Sequence, residues 1–112
     1  MAFQLFTNFK FNYMQTFEKI KIVNEVVENF VDENISTIQG SITMSEIEHV
    51  INIGTSIMCN KWGIKYDGGG FVDAVLENNL SKAIGRADST NVKALKLYCQ
   101  MMYNLSAPKE LV

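Results

Sequence analysis

Proline is nearly absent from this sequence; Pro108 is the only one. Nothing before it fixes φ or removes a backbone donor, so long uninterrupted helices are permitted. Cysteine is sparse as well. Cys59 and Cys99 belong to no CxxC or Cys/His pair, so they supply no disulfide framework and no zinc site. Both sit among apolar neighbours and are expected as reduced, buried thiols. His49 is the sole histidine and lies ten residues from Cys59 with no second pair of ligands, so no metal site is expected. No GxGxxG is present, and no Gly-Lys-Ser/Thr follows a glycine loop, which excludes the familiar dinucleotide and P-loop devices. No apolar run approaches membrane-spanning length, so no membrane association is expected. The opening stretch has no continuous apolar region and no small-residue cleavage site, so no secretory leader is expected either. On that expectation the Asn-x-Ser sequons at Asn34, Asn79 and Asn104 are chance matches, and a reducing cytoplasm is the default setting.

Charge of either sign is modest. The net charge is −2, which gives no basic field for nucleic acid and too small a surplus for an acidic imitation of a duplex. The distribution is uneven. Residues 1–56 carry three lysines against seven acids, and residues 57–112 carry seven bases against five acids.

What is present is apolar residue at helical spacing. At 112 residues and 47% apolar, the chain is expected to form one domain with its own core. Ile20, Val23, Val27, Phe30 and Val31 mark a helix over 15–34. Thr43-Met44-Ser45-Glu46 is a capping box that opens a helix over 44–61, with Ile47, Val50, Ile51, Gly54, Ile57 and Met58 on one face. Gly54 in mid-helix implies a close helix–helix approach. Phe71, Val72, Val75, Leu76, Leu80 and Ile84 place a third helix over 70–84, and Asn78-Asn79 can divide it in two. Asp88, Ser89 or Thr90 caps a last helix over 90–105, whose apolar face holds Val92, Leu95, Tyr98, Cys99, Met102 and Leu105. The fold class is therefore mainly α, a bundle of about four helices.

Residues 1–14 stand apart. Phe3, Phe6, Phe9, Phe11 and Tyr13 crowd this arm, and the alternation from Phe9 to Tyr13 suits an extended segment or a short strand. Exposed aromatics at this density are hard to keep soluble, so these five are expected to pack on the domain itself or on a neighbouring subunit; the second option makes them candidates for an interaction surface and for homo-oligomerisation.

Asp67-Gly68-Gly69-Gly70 is the strongest local feature. Three glycines ahead of a helix leave its first N–H groups uncovered, and such an end attracts anions. Gly68, Gly69 and Gly70 can hold a phosphate or carboxylate, with Lys65 or Arg86 assisting. Arg86 is the only arginine, and its planar fork suits bidentate anion contacts. Trp62 and Tyr66 can add a stacking face for a base. Each feature also has a structural use: tight turns for the glycines, pairing with Asp88 or Asp73 for Arg86, and closure of the core for Trp62.

In order, Gly68-Gly69-Gly70-Phe71-Val72, Asn79-Leu80, Arg86-Ala87-Asp88-Ser89-Thr90-Asn91 and Leu95-Lys96 resemble small bacteriophage-encoded proteins with "GG-F-V-A", "D/N-L" and "RAD-x-x-N" elements. The resemblance lies within residues 54–105. It implies a phage accessory protein working in a bacterial cytoplasm, and it implies no catalytic residue.

No Ser or Cys nucleophile with an orienting base can be read from the sequence. A non-enzymatic binding protein is therefore expected, acting through contacts with a host or viral protein or with itself. The alternative is a protein that holds a nucleotide-like or other phosphate ligand at the glycine turn. Neither reading requires a cofactor.

Overall fold

Between residues 1 and 39 there is neither proline nor glycine, so nothing in the chain stops a helix once it has started. In the computed structural model, which describes the backbone of residues 2–38 and 40–111 and side chains from Thr16 onward, helix α1 runs unbroken over Ala2–Glu33. The arm expected to be extended or a short strand is therefore the first half of α1. Its alternating pattern covers only five residues, too few to outweigh a helix already continuous on their C-terminal side. The side chains of Phe3, Phe6, Phe9, Phe11 and Tyr13 lie outside the described residues.

After a 3-10 turn at Ile35–Thr37 come α2 (Met44–Lys61), α3 (Gly69–Leu76), α4 (Leu80–Arg86) and α5 (Ser89–Asn104), with a last 3-10 turn at Lys109–Leu111. Each start has a local cause. Thr43 Oγ1 accepts from Glu46 N at 3.2 Å, and Glu46 Oε1 accepts from Thr43 N at 3.2 Å, closing the expected capping box. Asn79 Oδ1 caps α4 by accepting from Lys82 N at 3.0 Å. Asp88, out of the three candidates, caps α5 by accepting from Asn91 N at 2.7 Å.

The expected helix over 70–84 is two helices. Asn78 takes a left-handed φ of 58°, and Asn79 N–H donates back to Ala74 O at 2.9 Å, the bond that ends a helix in a tight reversal. The Asn78-Asn79 pair thus closes α3 and opens α4.

The core lies where α1, α2 and α5 meet, with α3 folded over it. Val23, Val27 and Val31 of α1, Val50, Ile57 and Met58 of α2, and Ala94, Leu97, Tyr98 and Met101 of α5 are all buried. Gly54 sits at the crossing. A Cβ there would lie 2.9 Å from Val27 Cγ1 and 3.0 Å from the Met101 thioether, so the missing side chain permits the approach. Phe71 of α3 meets the Tyr98 ring edge-on, with centroids 5.8 Å apart. No described helix is long and apolar enough to cross a membrane.

Several residues assigned to the core by periodicity are not in it. Leu80 and Ile84 of α4 and Val92 and Cys99 of α5 are exposed. Cys59 alone is the buried thiol, and its pKa is raised to about 11 by burial.

Candidate functional site

The α3–α4 reversal leaves a cleft of about 470 Å³ against α5. Its floor is built from small and apolar residues. Ala74 and Ala83 are buried and carry nothing beyond Cβ, so space remains above them. Val75 joins them from α3, and Leu95 and Met102 form the facing wall on α5. The rim is apolar too: Leu80 is 63% exposed and Tyr103 90% exposed. Large apolar side chains held in water around a concavity mark a recognition surface more often than a structural one. Cys99 opens onto the same cleft. Asn78 and Asn79 supply amides at one end. Lys61, from the last turn of α2, supplies the cleft's only charge among the described residues. Its Nζ donates to Met102 O near the end of α5, which anchors it on the wall.

The glycine turn is built differently. Gly68 packs against α2 so closely that a Cβ would overlap Ser56 Oγ and fall 2.7 Å from Val72 Cβ. Ser56 Oγ is buried and has no hydrogen-bond partner. Arg86 crosses from the end of α4 to lie on Gly70, where Nη1 donates to Gly70 O at 3.3 Å. The expected pairing of Arg86 with Asp88 or Asp73 is replaced by this backbone contact, and Asp88 is taken by His49. A second cleft of about 310 Å³ beside the turn is lined by Asn60, Lys65, Tyr66, Asp67, Gly68 and Asp73. Asn60 Nδ2 clasps the loop there, donating to Ser56 O at 2.7 Å and Tyr66 O at 2.6 Å. Two carboxylates against one lysine make this cleft a poor host for an anion.

The structure thus joins Gly70 with Arg86 and Gly68 with Tyr66. Trp62 is half-buried against the core and lines neither cleft. The close fit of Gly68 on α2 and the seat of Arg86 on Gly70 give both a structural use.

Sequence reasoning missed a polar seam between the starts of α2 and α5. Glu46 Oε2 accepts from Thr90 Oγ1 at 2.8 Å and from Lys93 Nζ at 3.2 Å, and Lys93 also donates to Ser41 O at 3.1 Å. His49 Nε2 lies 3.0 Å from Asp88 Oδ2. The Thr90 hydroxyl first, then the Thr43 N–H and the Lys93 ammonium, hold the Glu46 carboxyl down to about 2. Lys93 is half-buried in this seam. These partners stand 39 to 52 residues apart, so only the local capping box was visible in advance. Among the described residues no group of three or more His, Cys, Asp or Glu side chains is placed to hold a metal ion.

No protein-family model, curated protein or solved structure matches this chain.

Proposed function

We propose that this chain is a non-enzymatic binding protein and that its recognition surface is the cleft between α3–α4 and α5. The observation that carries the reading is the apolar floor of Ala74, Val75 and Ala83 beneath an apolar rim of exposed Leu80 and Tyr103. A surface of this kind loses free energy by covering itself, at about 25 cal/mol per Å² of apolar area removed from water. A volume near 470 Å³ falls within the range of roughly 300–1,000 Å³ typical of small-ligand sites. The resemblance to phage accessory proteins supports a bacterial cytoplasm as the setting of such a binder.

The glycine turn supports a ligand reading less well. Arg86 already serves Gly70 O, and Asp67 and Asp73 repel the phosphate that the turn was expected to attract.

A solvatochromic apolar dye such as Nile red tests the proposal. The wild-type chain is expected to bind it with a blue-shifted emission. Ala83→Trp, which fills the floor, and the rim changes Leu80→Glu and Tyr103→Asp, which are made at exposed positions, are each expected to abolish the shift. Equal dye binding by folded Leu80→Glu and Tyr103→Asp proteins removes the cleft from consideration.

A further inference from the structure

The charge on the cleft wall narrows what the cleft accepts. We infer that its ligand is a free single-chain amphiphile with an anionic head, of the kind a fatty carboxylate represents. This inference rests on the proposed reading of the cleft as the recognition surface.

Lys61 is the one charged residue lining the cleft, and no carboxylate of the described residues lines it. A lysine ammonium has three N–H donors, and one goes to Met102 O, so two remain for a ligand. At the end where α3 turns into α4, Asn79 uses its amide oxygen on Lys82 N–H, leaving the amide nitrogen, a donor only, as its remaining polar group. The cation, the Asn79 amide nitrogen and the Tyr103 hydroxyl can all donate to an oxyanion, and Asn78 adds an amide with both a donor and an acceptor. A cationic head would face Lys61 without a counter-charge. A head with no charge would leave the exposed Lys61 ammonium to water and gain nothing from it. The rest of the occupant must be apolar, because Ala74, Val75, Ala83, Leu95 and Met102 offer nothing polar from their side chains. The opposite choice, a nucleotide, has no aromatic stacking pair here and needs more than one cation.

Cys99 gives a built-in reporter, since it opens onto the cleft while Cys59 is buried. The experiment titrates octanoate, decanoate, dodecanoate and 1-dodecanol, each below its self-association limit, into the full chain by calorimetry. Protection of the Cys99 thiol from Ellman's reagent is followed in parallel. Affinity is expected to rise about fourfold per methylene until the cleft is full. Dodecanoate is expected to shield Cys99, and Lys61→Met is expected to weaken dodecanoate about tenfold without changing dodecanol.

Equal binding of dodecanol and dodecanoate, both indifferent to Lys61→Met, overturns the anionic head and leaves the cleft reading standing. Nile red bound in the cleft with no alkyl chain bound overturns the amphiphile and again leaves the cleft, open then to an apolar side chain of a protein partner. Failure of dye and amphiphile together overturns both. Association with phosphatidylglycerol vesicles in place of free dodecanoate also overturns the inference, because it assigns the surface to a membrane.

Discussion

Tyr98 is the largest fully buried side chain among the described residues, and its hydroxyl donates to Asn91 Oδ1 at 2.7 Å. Asn91 is itself only 4% exposed. Tyr98→Phe keeps the ring and its edge contact with Phe71, so the change isolates one hydrogen bond. Two costs then add. The net bond is worth about 1 kcal/mol, and an amide oxygen stranded in the core adds its own desolvation, for a total of about 1–3 kcal/mol. In a chain of this size that lowers the melting temperature by about 4 °C per kcal/mol. Urea unfolding at neutral pH is expected to show a lower midpoint with an unchanged slope. Adding Asn91→Leu to Tyr98→Phe is expected to restore part of the loss, because removing both partners leaves nothing unsatisfied. A Tyr98→Phe protein as stable as wild type would refute the reasoning. The same burial, followed by the negative charge of Asp88, pushes the phenol pKa up. The unfolded chain loses this proton near pH 10 while the folded chain keeps it, so stability falls as pH rises above that value. Absorbance at 295 nm is expected to show Tyr98 ionising only as the protein unfolds in alkali.

Three other outcomes follow from the packing. Ellman's reagent is expected to titrate one thiol in the native protein, Cys99, and two in urea, because Cys59 is buried with its pKa at about 11. Glu46→Gln is expected to destabilise the protein at neutral pH. Its difference from wild type should shrink as pH falls from the ordinary glutamate value of 4.5 to about 2, since the unfolded chain takes up this proton before the folded one does. A difference that stays constant down to pH 2 argues against the seam. Gly68→Ala is expected to cost about 1–3 kcal/mol by overpacking against Ser56 and Val72. Ser56→Ala should recover part of that loss in denaturant melts, because it removes the hydroxyl that the new methyl meets.

The fold was legible wherever a local chemical rule decided the outcome. Thr43 and Glu46 placed the start of α2 at its observed residue, and Gly54 announced a close crossing that Val27 and Met101 complete. Asp88 was already among the caps weighed for α5. Local rules misled at the first fourteen residues, where alternation over five residues stood for a strand that the helix overran. They also could not decide which of two amides at Asn78-Asn79 would turn the chain and which would cap. The seam of Glu46, Thr90 and Lys93 was out of reach for a different reason. Its members are brought together only once α2 and α5 pack, and no spacing along the chain encodes that meeting.

The cleft was hidden by the success of the periodicity argument. Leu80 and Cys99, which line it, both fall on apolar stripes, so each reads as core. A helix stripe buries only what another element covers. Here α3 and α4 have eight and seven residues against sixteen in α5, so they cannot cover its whole apolar face. The uncovered remainder is bounded by Ala74 and Ala83, whose missing side chains deepen it into a concavity. The same surplus of apolar residues therefore yields a closed core on the α1–α2 side of α5 and an open cleft on its α3–α4 side. The cleft requires no residue type that the core does not also use. What distinguishes it is the shortness of the two helices that border it, together with the single lysine that α2 sets into its wall.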